Sequence, residues 1–274
     1  MAVLRCDFFS SVLVRGCSMT VILPESTGRA AVGIAGSPEV EPADLPGGGY
    51  PTLWLLHGMS DDHTMWTRRT SIERYVSGLG IAVVMPGVDR SYYADMNSGP
   101  KYFTFVSEEL PAVCRRMFRL SSRREDNFVA GLSMGGYGAM KLALNHPERY
   151  AAAAALSGAL DVAALPGEFP ERAAEWGWMF GQPTDVDGTR RDVFDRATQL
   201  KQSEHADLPL YLCCGTGDYI YQHTVRFGDH LRELGLNLTY EEHEGREHEW
   251  GYWDQQIQRV LEWLPLPQRA GEAE

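Results

Sequence analysis

Apolar and polar positions fall into short blocks whose periods alternate between those of strands and those of helices. Residues 2–14 and 17–23 predict two strands with a turn around Gly16, an antiparallel start to a sheet. Residues 52–56 form an unbroken apolar run ending at His57-Gly58 and predict a buried strand. Thr70 and Glu73 have capping-box spacing, so a helix is expected there, stopped by Gly78 and Gly80. Residues 81–85, closed by Pro86, read as the next strand. Residues 102–120 read as a helix with Val106, Leu110, Val113 and Met117 on its inner face and a kink at Pro111. A strand over 127–130 leads into a helix over 134–144 that stops before Pro147. Further strands are expected over 208–214 and 236–241. Helices are expected over 219–234, with Val225, Phe227, Leu231 and Leu234 inward, and over 248–264.

The Ala-rich run 151–156 is ambiguous. Alanine favours helix, whereas the alternation of elements requires a strand, and the order of elements is followed. Strands alternating with helices imply a mostly parallel sheet with antiparallel N-terminal strands and helices on both faces. Chemistry in such sheets sits in the loops at the carboxyl ends of the strands. Residues 27–49, rich in Gly, Pro, Ala and Glu, read as a loop, and the tail 265–274 as flexible. The expected organisation is one domain over 1–264. Segment 161–206 is too long for a plain connection: either a cap lining a pocket or an ordinary helical insertion.

Composition narrows the functional class. A formal net charge of −12 argues against a nucleic-acid surface and is otherwise read as a solubility feature. No run is long and apolar enough for a membrane span, and the first residues lack the signature of a signal peptide. Five cysteines without a CxxC pair suggest neither a disulfide framework nor a zinc cluster, which fits a cytoplasmic setting. Oligomeric state is not legible, and a homo-oligomer stays open.

The candidate chemistry centres on Gly131-Leu132-Ser133-Met134-Gly135, a G-x-S-x-G between an expected strand and an expected helix. A turn sharp enough to lift a serine hydroxyl clear of the sheet strains that serine and leaves no room for side chains at 131 and 135. This is the nucleophile elbow of the α/β-hydrolase fold, whose triad runs Ser, acid, His along the chain. Among eight histidines, His243 and His248 follow the last strand; His248, at the start of the final helix, is the expected base. His57 and His146 are set aside by position, His223 and His230 as a partly solvated helix face. Asp218, after the 208–214 strand, is the expected acid, a position where it could also cap a helix; Asp161 is the runner-up. Backbone N–H groups of Met134 and Met59 are the expected oxyanion donors. Trp66, Trp176, Trp178 and Trp250 are candidate pocket residues, each of which could instead belong to a core.

The motifs LLHGMSDDHTMW, EELP, AGLSMGGYGAMKLAL, GTGD and HEWGYW together closely resemble the tributyrin esterase branch of the esterase D superfamily, over residues 2–264. That resemblance implies a cytosolic carboxylesterase for short acyl chains, without a cofactor. It also implies Ser133, Asp218 and His248 as triad and Met59 and Met134 as oxyanion donors. The loop after HGMS carries Asp61-Asp62 where the family usually has Gly-Asn, residues 90–93 differ from its Trp-Tyr version, and the Gly-rich stretch before Tyr50 is longer. Two other readings are a thioester hydrolase, as in S-formylglutathione hydrolases, and a non-catalytic binding protein on this fold.

Overall fold

The computed structural model describes residues 1–25, 48–186 and 188–266. The loop expected over 27–49 and the tail expected from 265 lie almost entirely outside the described residues. Eight strands form one sheet: β1 (Ala2–Ser10), β2 (Arg15–Leu23), β3 (Thr52–Leu56), β4 (Ala82–Pro86), β5 (Asn127–Leu132), β6 (Ala152–Leu156), β7 (Leu210–Gly215) and β8 (Leu238–His243). Their order is β1-β2-β4-β3-β5-β6-β7-β8. The β1–β2 and β2–β4 pairings are antiparallel, and every pairing from β4 to β8 is parallel. Strands β3 to β7 are buried along their whole length, as a sheet covered on both faces requires.

Two helix layers provide the cover. Helices α1 (Met65–Arg69), α2 (Ile72–Val76) and α10 (Trp250–Trp263) pack on one face through Trp66, Ile72, Val76, Ile257 and Val260. The other face carries α3 (Tyr102–Thr104), α4 (Leu110–Met117), α5 (Met134–Asn145), α6 (Leu165–Glu168), α7 (Ala173–Phe180), α8 (Val193–Lys201) and α9 (Tyr221–Glu233), with Tyr137, Met140, Phe180 and Phe227 in its core.

The alanine run is a strand because of what lies above it. A Cβ added to Gly136 of α5 would come within 2.9 Å of the Gly158 Cα and 3.3 Å of the Ala155 Cβ. Only a strand of short side chains lets the helix sit that close, so packing overrides the helical preference of alanine.

Four local expectations shift. The Thr70–Glu73 capping box does not form. Instead the Thr70 hydroxyl donates to the Trp66 carbonyl (2.5 Å) and accepts from the Ile72 N–H (3.1 Å), joining α1 to α2. The kink expected at Pro111 takes the form of a widened turn: Phe105–Glu109, just before it, is π-helical, and the helix continues through it. The Ser107 carbonyl that a residue with an N–H at 111 would occupy accepts from Arg149 Nη1 (2.8 Å) instead. Met117, expected on the inner face, is exposed. Finally, β8 starts at 238 rather than 236. Gly235 takes φ +61° and the Leu236 N–H returns to the Leu231 carbonyl (3.1 Å), so both residues belong to the end of α9.

Candidate active site

Ser133 stands between β5 and α5 with φ 53° and ψ −119°, a left-handed conformation that side-chain-bearing residues rarely adopt. The glycines beside it permit the turn. A Cβ on Gly131 would lie 2.3 Å from the Gly135 carbonyl oxygen, and one on Gly135 would lie 2.4 Å from that of Leu56. The strained serine is pinned from both sides. Its N–H donates to Leu156 of β6 (2.9 Å), and its carbonyl accepts from Tyr137 (3.2 Å) and Ala159 (3.1 Å).

Because the loops after β5, β7 and β8 share one edge of the sheet, three residues far apart in sequence meet there. His248 Nε2 lies 3.0 Å from Ser133 Oγ, and His248 Nδ1 lies 2.8 and 3.0 Å from the two Asp218 oxygens. An ionised carboxylate can only accept, so Nδ1 carries the proton and Nε2 is left to accept from the serine hydroxyl. Asp218 is 5% exposed. Burial alone would raise its carboxyl, but His248 and the Ile220 N–H (3.0 Å) outweigh that and hold it below the usual carboxylate range. The Ile220 bond closes a turn ahead of α9, whose N-cap is Ile220 without a side-chain cap bond, so Asp218 does not cap that helix.

Neither Met59 nor Met134 has an acceptor for its N–H among the described residues. Met134 is the first residue of α5, where the positive end of the helix dipole lies. The loop carrying Met59 is braced by buried His57. Its Nδ1 donates to the Gly58 carbonyl (2.6 Å) and its Nε2 accepts from the Val88 N–H (3.1 Å). Burial pushes its pKa down to about 4, so it is neutral and structural. The Tyr93 hydroxyl donates to the His57 carbonyl (3.0 Å).

A cleft of about 210 Å³ opens beside Ser133, lined among others by Asp61, Tyr219, His248 and Trp250. Of the four tryptophans expected around a pocket, only Trp250 lines it. Trp66 is buried behind Trp250 at 5.2 Å, with its indole N–H on the Leu56 carbonyl (3.1 Å). Trp176 is core, its N–H on the Phe169 carbonyl (3.0 Å). Trp178 is exposed and borders a separate groove of about 690 Å³. Each indole had a carbonyl or a surface available elsewhere, which sequence position does not reveal.

Asp161, the alternative acid, is paired with Arg226 (2.9 Å) and not with His248. His243 bonds the Tyr252 hydroxyl (3.0 Å). His223, expected on a solvated face, is fully buried: Nδ1 accepts from the Asp161 N–H (3.1 Å) and Nε2 donates to Glu168 (2.5 Å).

Three contributors escaped the sequence reading. The rings of Tyr219 and Trp253 pack on His248 at 4.6 and 4.8 Å. Ser157, at φ 46° after β6, accepts from Trp253 Nε1 (3.2 Å) and is one of the neighbours that lower the Asp218 carboxyl. Adjacency of Tyr219 to Asp218 was the one local signal. Among the described residues no group of His, Cys, Asp or Glu is arranged to hold a metal, and no helix is long and apolar enough to cross a membrane.

The model of a family described as putative esterase matches residues 39–264. The chain belongs to this family. An acetyl esterase of Caldicellulosiruptor saccharolyticus is 29% identical over 272 residues, covering 96% of this chain and 98% of that protein. Among solved structures, the fluorophosphonate-binding serine hydrolase FphF of Staphylococcus aureus superposes with a TM-score of 0.81 at 32% identity, covering 96% and 98% of the two chains. The S-formylglutathione hydrolase FrmB of the same organism gives 0.79 at 32% identity with the same coverage. The esterase is thus a hydrolase with the α/β-hydrolase fold, as the motifs implied.

Proposed function

We propose that this esterase hydrolyses short-chain carboxylic esters through Ser133, His248 and Asp218 and an acyl-enzyme intermediate. The observation that carries the reading is the 3.0 Å approach of His248 Nε2 to Ser133 Oγ, with Asp218 on the opposite ring nitrogen. Ser133 Oγ bonds to the ester carbonyl carbon as its proton passes to Nε2. The resulting oxyanion faces the N–H groups of Met59 and Met134, and Asp218 stabilises the imidazolium without taking its proton. Collapse breaks the bond to the alcohol oxygen, which leaves with the proton from Nε2. Water then repeats the sequence and frees the acid.

Two observations support a short acyl group. The cleft of about 210 Å³ is small beside sites that hold drug-sized ligands, roughly 300–1,000 Å³. The full-length relative cited above is named an acetyl esterase. Segment 161–206 acts as a cap: Phe169 packs on Tyr219 at 6.0 Å, and Arg172 reaches the Met59 sulfur. A cytoplasmic setting is supported by the five free thiols.

Ester turnover across acetyl, butyryl and octanoyl chains tests the reading; the rate should fall with length. Ser133→Ala should lose about 10⁴-fold or more in turnover while keeping its circular dichroism, and should take up no fluorophosphonate label. Retained turnover in that variant refutes the nucleophile. Likeness to FrmB favours a second reading, thioester hydrolysis. Faster turnover of S-formylglutathione than of a simple acetate ester would select it.

A further inference from the structure

The cleft beside Ser133 combines aromatic faces with negative charge. Asp61 and Glu249 line it, as do Tyr219, Trp250 and Trp253, and its described lining contains no Lys or Arg. The two neighbouring acids of the 57–62 loop do different things. Asp62 is turned to the chain: its Oδ1 accepts from the N–H (2.7 Å) and hydroxyl (2.6 Å) of Thr64. Asp61 faces the cleft, half-buried, with Oδ2 accepting from the Gly58 N–H (3.2 Å). Burial, reinforced by Asp62, raises its carboxyl, against the opposing pull of that N–H, exposed Arg69 and His248.

The leaving oxygen must receive its proton from His248 Nε2. The alcohol half of the ester therefore lies against the residues around that ring: Tyr219, Trp253, the Glu249-Trp250 step that follows it in the chain, and Asp61, which shares the cleft with it. A positive group placed there meets a carboxylate and aromatic faces at once. A negative group meets the carboxylates of Asp61 and Glu249; Arg69 and Arg172 stand outside the lining, and Arg172, which reaches the Met59 sulfur, is paired with Glu175 (2.7 Å). The formal net charge of −12 biases approach in the same sense.

We infer that Asp61 is a specificity-determining residue, selecting esters whose alcohol part carries a positive charge and rejecting those whose alcohol part is anionic. The inference rests on the esterase reading above and adds the charge of the substrate to it.

Three acetate esters test it: acetylcholine, its uncharged carbon isostere 3,3-dimethylbutyl acetate, and the anionic 3-sulfopropyl acetate. We expect kcat/KM to fall in that order at low salt, with about tenfold between the first two. The ratio should shrink as salt rises to about 1 M, where the screening length drops to about 3 Å. Asp61→Asn keeps an oxygen for the Gly58 N–H and should bring the cation-to-neutral ratio close to one. Equal kcat/KM for the three esters in the unaltered protein overturns the inference, as does an unchanged ratio in Asp61→Asn. If that variant loses all three activities together, the salt dependence in the unaltered protein decides, and a salt-independent ratio overturns the inference. Failure to turn over even the neutral ester, with no fluorophosphonate adduct on Ser133, refutes the esterase reading instead.

Discussion

At the scale of single residues, the site depends on hydroxyl and carboxylate groups that each satisfy more than one neighbour. Ser157 is fully buried, accepts from the Trp253 indole and is one of the neighbours that lower the Asp218 carboxyl. It touches no reacting atom of the proposed mechanism, so it is a positioning residue, acting through Trp253, whose ring packs on His248 at 4.8 Å. The neutral bond from the Trp253 indole contributes about 0.5–1.5 kcal/mol. Ser157→Ala should therefore lower kcat by up to about tenfold, at one tenfold step per about 1.4 kcal/mol, with KM little changed. Steady-state kinetics on a neutral acetate ester checks this, and a change confined to KM would contradict it. The same variant should weaken the depression of Asp218. A depressed carboxyl stabilises the fold above its unfolded value and loses that contribution as pH falls through the folded value. The acid unfolding of Ser157→Ala should accordingly begin at higher pH.

At the scale of elements, α5 is the helix that the sheet closes around, and its residues 134–144 are all buried. One of them is Lys141, whose ammonium donates to the Tyr93 carbonyl (3.0 Å) and lies over the rings of Phe103 and Tyr137. Burial, with Arg191 nearby and Asp95 only partly compensating, lowers its pKa from 10.5 to about 7. The unfolded chain therefore holds this proton between about pH 7 and 10.5 while the folded chain does not, so this group makes stability rise with pH across that window. Lys141→Met, similar in volume and without charge, should remove the slope and stabilise the protein most at pH 7 and below. Urea midpoints at pH 7 and 9 for both proteins measure the difference. Parallel pH dependences would refute the assignment.

At the scale of the molecule, the parallel order β3-β5-β6-β7-β8 brings the loops of Met59, Ser133, Asp218 and His248 to one edge. His57 ties that edge across two strands, reaching from the end of β3 to Val88 beyond β4. Its pKa falls from 6.5 to about 4 on folding. As pH drops from about 6.5 the unfolded state gains the proton first, so stability declines until about pH 4. Protonated, Nε2 would face the Val88 N–H as a second donor. His57→Gln should be less stable at pH 7 but show a flatter loss between pH 6.5 and 4, measured by urea unfolding. An equal loss in both proteins would exclude His57 as the source.

Much of this was legible along the chain, wherever the cause is local. The sterics of G-x-S-x-G require glycine on either side of a raised Ser133, and an apolar run between turn signals is a buried strand wherever it packs. Chain order then pointed to Asp218 and His248; the sheet brings His248 within hydrogen-bonding distance of Ser133 on one ring nitrogen and of Asp218 on the other. Where residues from distant segments meet was not legible. The close approach of α5 made a strand of the alanines. Arg149, from another loop, took the carbonyl that Pro111 freed. Three tryptophans found partners or a surface away from the cleft, and His223 was buried between an N–H and Glu168. In Asp61-Asp62 the sequence by itself determined two negative charges beside the site. Only the tertiary structure decided that, of the two, Asp61 lines the cleft, because the 57–62 loop meets the segments carrying Tyr219, His248 and Trp250 with Asp61 facing them, while Asp62 turns back to Thr64.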